Sequence, residues 1–253
     1  MIVQCDRCGA GFDDEYRTYI CPHRAFPAND RCNNFVIHEE AHLTPPDHNL
    51  QYDEGYFIRG VETGKSLYSN YRWLPDLTIP MVRAIVNHLG IDANDTVLDF
   101  GCARGYTVRA FRELGYSAYG YDVSKWAVDN SDSSVREYLT TQPERAHGST
   151  DYDWVIAKDV LEHVENVAVT VDLLKKAAVR GVLAVVPLAH GLTYDVPEYE
   201  MDVTHIHRHA LSWWMSHFYQ TGWSVTGQYR MAGIKDNYSQ YPTGNGFIIA
   251  RRL

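Results

Sequence analysis

The stretch VLDFGCARGYTVRAF, residues 97–111, constrains this chain more than any other part of it. An apolar run ends at Asp99. A turn then carries Gly101 and Gly105, and apolar residues at helical spacing follow. A strand that enters a glycine turn and leaves it as a helix is the opening unit of a parallel α/β sheet, with its ligand at the turn. A dinucleotide turn needs G-x-G-x-x-G, so that backbone can approach a pyrophosphate closely. Here Ala103 stands at the middle glycine and no third glycine follows in place. Asp99 would also repel a diphosphate, whereas a carboxylate there suits the positively charged headgroup of an amino acid. Asp122, 23 residues after Asp99, ends AYGYD at the expected tip of the second strand. A carboxylate at that place can accept both hydroxyls of a ribose.

The rest of the second half alternates in the same way. Helices are expected over LPDLTIPMVRAIVNHLG (74–90), YTVRAFRELG (106–115), SKWAVDNSDSSVREYL (124–139, capped by Ser124), VENVAVTVDLLKKAAV (164–179) and ALSWWMSHFYQTG (210–222). Strands are expected at TVLDFG, SAYGYD, YDWVIAKD, GVLAVVPLA, WSVTGQYRM and GFIIARR. This order predicts an α/β fold with a mostly parallel sheet, helices on both faces and an antiparallel hairpin at one edge. Only 30 residues lie between Asp122 and Asp153, which leaves little room for a helix, a third strand and another helix.

Three segments, VLDFGCARG, GYDVS and YDWVIAKDVLEHV, in that order, resemble the class I S-adenosylmethionine-dependent methyltransferases. The resemblance covers roughly residues 75–253 and implies a Rossmann-like, seven-stranded sheet. It also implies that Asp99, Gly101, Cys102, Ala103 and Gly105 wrap the methionine part of the cofactor. Asp122 would hold the ribose, Val123 would touch the adenine, and Lys158 and Asp159 would line the floor near the methyl group. The tyrosine clusters YDEGYF and LYSNYRW are similar to the cap of methyltransferases acting on sugars and other small metabolites, with Tyr52, Tyr56, Tyr68 and Tyr71 as candidates to close the cofactor site. Asp159, Glu162 and His163 are similar to the magnesium set of ubiquinone-type and small-RNA 2′-O-methyltransferases, although LEHV also occurs where no metal binds, so Mg2+ is the lesser expectation.

Four of the five cysteines, Cys5, Cys8, Cys21 and Cys32, fall in the first 32 residues. CDRCG gives a C-x2-C turn, and four thiolates suit a structural zinc ion, with His23 as a competing fourth ligand. So short a segment builds little core, and a metal would supply its folding energy. The expected organisation is a zinc-ribbon-like module over 1–45, a linker and tyrosine-rich cap over 46–74, and the methyltransferase domain over 75–253. HEEAH at 38–42 matches H-E-x-x-H, but it ends in TPP without a supporting domain, and linker histidines are the expectation there.

Methyl transfer requires an acceptor in line with the methyl group and, for a hydroxyl, a base. His163, His205 and His207 are the candidate catalytic groups; ordinary packing is the competing role for each. The formal net charge of −9 speaks against a nucleic-acid grip, and residues 1–50 hold four arginines, no lysine and eight acids. A small hydroxylated acceptor, a sugar or glycan or related metabolite methylated on oxygen, is therefore expected, and no DNA. The alternatives are RNA, read by the zinc module, and a methyltransferase-like fold that only binds. No long apolar run or secretory leader stands in the sequence, so no membrane partner and a cytoplasmic location are expected.

Overall fold

Within the strand Tyr152–Lys158, residues Trp154–Ala157 form an unbroken apolar run with no polar face, and such a run needs cover on both sides. The computed structural model, which describes residues 2–5, 11–13, 35–37, 51–143 and 152–253, supplies that cover. Trp154 and Ile156 point into one layer with Val82, Ile85 and Phe111. Val155 and Ala157 point into the other with Val171, Leu174, Trp214 and Phe218. The first layer is closed by the helices Pro75–Leu89 and Tyr106–Glu113, the second by Val167–Ala177 and Leu211–Ser216.

The chain divides into two compact units, Met1–Asp47 and His48–Leu253. In the first, β1 (Ile2–Cys5) pairs antiparallel with β2 (Gly11–Asp13) and β3 (Phe35–Ile37), with Cys5 opposite Phe35. Cys8, Cys21, His23 and Cys32 lie outside the described residues.

The second unit holds β4 (Thr96–Phe100), β5 (Ser117–Tyr121), β6 (Leu139–Thr140), β7 (Tyr152–Lys158), β8 (Ala178–Pro187), β9 (Trp223–Gln228) and β10 (Asn245–Arg252). Their order across the sheet is β6-β5-β4-β7-β8-β10-β9. The first five run parallel, and β10 is antiparallel to both β8 and β9. This is the expected mostly parallel seven-stranded sheet with its antiparallel edge. Strand order reverses beside β4, which opens a crevice beyond the carboxyl ends of β4, β5 and β7.

The helix expected over 124–139 is shorter. It spans Lys125–Asp129, capped by Ser124, and a 3-10 turn at Arg136–Tyr138 leads into β6. The reason is the run Asn130–Ser134. Asp132 accepts from the backbone and hydroxyl of Ser134, an alternative partner that unwinds a helix. The third strand, squeezed by the short interval, is only two residues long. The last expected helix also stops early, at Ser216, whose hydroxyl donates back to the Trp213 carbonyl. Among the described residues no helix is long and apolar enough to cross a membrane.

Candidate active site at the strand ends

The glycine turn is held by the next strand. Gly101 and Cys102 both donate to the Tyr121 carbonyl, at 2.7 and 2.9 Å, and Gly105 donates to the Cys102 carbonyl at 2.8 Å. Gly101, Ala103 and Gly105 have φ of +82°, +49° and +77°. A side chain at 101 would therefore meet two penalties. The left-handed backbone costs a non-glycine residue ~1–2 kcal/mol, and a Cβ there would lie 2.3 Å from Val160 Cγ2. Gly101→Ala is expected to destabilise the protein by about 2 kcal/mol or more in urea denaturation. Adding Val160→Ala should recover the steric part only; full recovery would show that the backbone carries no strain.

Asp122 organises the turn from outside it. Its Oδ2 accepts from Ala103 N and its Oδ1 from Ser124 N, both at 2.7 Å. Each oxygen keeps a second lone pair. Burial pushes Asp122 up to about 6 against those two bonds, and it pushes Asp99 up to about 7, with Asp122 adding to the rise and Lys158 and Thr107 opposing it. Two buried carboxylates thus stand short of positive charge, and Asp122 is held by backbone N–H groups alone among the described residues. S-adenosylmethionine brings an ammonium, a sulfonium and a ribose diol, so the residues present fit it. Val123, 40% exposed beside Asp122, offers apolar surface to a base. Cys102 is buried against Gly120, and burial raises its thiol, so only its backbone faces the turn's chemistry.

The raised carboxyls have a consequence for the ligand-free protein. Between about pH 4 and 7 the folded state binds more protons at Asp99 and Asp122 than the unfolded chain does. Their contribution to stability is full below the unfolded value and is lost as pH rises to about 7. Asp99→Asn removes its share. In thermal scans from pH 4.5 to 7.5 the variant should gain on the wild type as pH rises, by at most ~4 kcal/mol; parallel curves would refute the buried-charge assignment.

Beyond the carboxyl ends of β7 and β8, the loop after β7 and the segment after β8 converge. Asp159, φ +57°, ion-pairs with Lys158 at 2.5 Å and with Lys235. The two lysines hold its carboxyl well below the usual range despite burial. Glu162 is buried, and burial with the nearby Asp159 pushes its carboxyl up. His163 lies 4.7 Å, ring to ring, from His205. Burial and His205 lower its pKa to about 4, and burial also lowers His205. Tyr56 donates to Asp202 Oδ2 at 2.7 Å, and Tyr52 meets His163 edge-on at 6.0 Å.

Tyr71 packs on Tyr68 and Tyr106, and its carbonyl accepts from Arg104 of the glycine turn at 2.9 Å. The tyrosine-rich segment is thereby tied to both sides of the crevice. His207 is not brought to the cluster: its Nε2 sits 2.7 Å from the Val164 carbonyl. The loops also deliver Tyr199, Asp202, Thr204 and Lys235, none of which stood out in the sequence. Lys235 reaches the Tyr199 hydroxyl at 2.9 Å and packs on the Tyr199 and Tyr238 rings. The only sequence cue to this group was the density of tyrosines.

Comparison with known proteins agrees with this geometry. A family model described as a methyltransferase domain matches residues 79–229. No curated protein matches the chain by sequence. Among solved structures, a methyltransferase in complex with the Haloferax volcanii Trm112 methyltransferase activator is similar at TM-score 0.54 and 15% identity, over 70% of this chain and 91% of that one. A SAM-dependent methyltransferase from Archaeoglobus fulgidus gives 0.53 and 16%, over 71% and 95%. Magnesium protoporphyrin IX methyltransferase from Synechocystis PCC 6803, with bound SAH, gives 0.52 and 19%, over 69% and 83%. These structural likenesses show the fold. The family model spans more than half of the sequence, and with it the chain belongs to the methyltransferase-domain family, as a class I S-adenosylmethionine-dependent methyltransferase.

Proposed function

We propose that the acceptor is a small hydroxylated molecule, a sugar or related metabolite, methylated on oxygen. The observation that carries this reading is the buried polar group beyond the carboxyl ends of β7 and β8. There Glu162, His163 and His205 sit under Tyr52 and Tyr56, side chains able to bind hydroxyls and hold a proton. Bound S-adenosylmethionine supplies an activated methyl on a positively charged sulfur. The protein's own residues orient the acceptor and shelter it from water. Asp99, the turn from Gly101 to Gly105, Asp122 and Val123 are proposed to hold the cofactor, with Tyr56 and Tyr71 closing over it. A net charge of −9 favours a small acceptor over RNA. The test is transfer of a labelled methyl group from S-adenosylmethionine into a fractionated extract of the source cells. Label is expected in the small-molecule or glycan fraction; label in RNA would overturn the reading.

Zinc on Cys5, Cys8, Cys21 and Cys32 is proposed as the structural metal of the N-terminal module. Elemental analysis of the purified protein should find one zinc bound there, lost in Cys8→Ser.

A further inference from the structure

One edge of the seven-stranded sheet is open. β9 pairs with β10 on one side only, in a register that runs without a shift. Hydrogen-bonded pairs alternate along an antiparallel ladder. Leu253 N donates to the Gly222 carbonyl at 2.9 Å. By alternation, the backbone groups of Ser224, Thr226 and Gln228 face Arg251, Ile249 and Phe247 of β10. Those of Trp223, Val225 and Gly227 face outward. Trp223 N turns back to the Gln220 carbonyl at 3.1 Å. No hydrogen bond among the described residues reaches the outward groups of Val225 or Gly227.

An exposed edge is usually blunted by a lysine, a proline or a bulge. Trp223–Gln228 carries none of these. The charge pattern around it is unusual in the same direction. The twenty residues from Ala210 to Tyr229 hold no Asp, Glu, Lys or Arg, in a chain that is 22% charged. Yet this is surface: Ser224, Thr226, Gly227 and Gln228 are exposed, as are Tyr219 and Tyr229. A contact about a twofold axis sets residues near the axis against their own copies. Charge there would repel itself, and this edge has none. An unlike partner would be selected by opposite charge, and the edge offers no charge to it.

We propose that β9 pairs antiparallel with β9 of a second copy of this chain, with Thr226 on the twofold axis. In this register Val225 exchanges both backbone bonds with the partner's Gly227, and Gly227 with the partner's Val225, so every free outward pair of the strand is used. Thr226 then lies opposite the partner's Thr226, and Ser224 opposite the partner's Gln228. Hydroxyl and amide pairs of this kind favour antiparallel strands. On the other face Trp223 and Val225 are already packed with Trp213 and Met215, so the edge is set before a partner arrives. β9 runs parallel to β8, and pairing reverses the partner's sheet. The two crevices therefore open at opposite ends of a joined sheet, and neither copy enters the other's site. A contact built on six-residue strands is at the small end of specific interfaces, so a reversible dimer with a Kd of about 1–100 μM is expected.

The test is sedimentation velocity of the full chain from about 1 to 200 μM. The wild type should pass from monomer to dimer across that range. Thr226→Lys sets two ammonium groups against each other on the axis and should raise the Kd about tenfold or more. Its S-adenosylmethionine affinity should stay within twofold of the wild type, which also shows that it is folded. Thr226→Cys gives a second reading. Cα atoms of such a directly opposed pair lie ~4.5 Å apart, within reach of a disulfide. Mild oxidation with oxidised glutathione should yield a covalent dimer of Thr226→Cys, but not of the wild type or of Ser224→Cys. A wild type that stays monomeric, or a dimer that Thr226→Lys leaves intact, overturns the pairing. Crosslinking of Ser224→Cys in place of Thr226→Cys overturns the register.

Discussion

Asp122→Ala is expected to weaken S-adenosylmethionine binding by about 100-fold or more while the thermal transition moves by only a few degrees. The carboxylate holds the turn through Ala103 N and Ser124 N and keeps a lone pair on each oxygen for a ribose hydroxyl. Hydrogen bonds to a charged group contribute ~1.5–3 kcal/mol each, so losing two costs affinity by two orders of magnitude or more. Two backbone donors lose a partner at the crevice, which costs the fold ~1–2 kcal/mol. Calorimetric titration beside a thermal scan reads both. Affinity within about twofold of the wild type, only ~0.4 kcal/mol, would remove Asp122 from the ribose.

Trp154→Ala should do the reverse. Trp154 is fully buried at the amino end of β7, far along the strand from the crevice. Its Nε1 donates to Asp95 Oδ2 at 3.2 Å, and its ring fills the space above Gly181, where a Cβ would come within 2.7 Å of Cζ3. Truncation leaves a large cavity, a loss of about 3–5 kcal/mol, while Asp95 Oδ2 keeps its bonds from Asp92 N and Arg180. For a unit of this size that lowers the transition by roughly 10 °C. Below it, cofactor affinity should stay within twofold. A matching loss of affinity would mean that the sheet transmits strain from its amino to its carboxyl end. The pair of variants separates what holds the sheet together from what the sheet presents.

The same division explains what could be read from the residues alone. Local pattern marked β4, β5, β7 and β8, since each is an apolar run bounded by turn residues, and the glycine turn followed from chemistry confined to Asp99–Gly105. β6 was invisible because two residues carry no period; it exists because Gly120 and Tyr121 offer an edge to Leu139 and Thr140. The meeting of Glu162 and His163 with His205 was hidden for a different reason. Forty-one residues lie between the two histidines, and their contact depends on the segment after β8 folding back, as the bond from Ile206 N to the Glu162 carbonyl records. Lys235 carried no signal, since a lone lysine in a loop normally faces water.

The place of β10 has a consequence for how the protein is made. It follows β9 in the chain yet lies between β8 and β9 in the sheet. A ribosome therefore delivers β9 before the only strand it pairs with, and leaves the apolar run Val182–Val186 of β8 with one bare edge. The 57 residues between Pro187 and Asn245 take roughly 3–11 s to add at ~5–20 residues per second. Throughout that interval the nascent chain shows an unpaired hydrophobic strand, the kind of surface that recruits chaperones or other nascent chains. Sheet closure waits on β10, so synonymous changes that slow translation between β8 and β10 should lower soluble yield without altering a single residue.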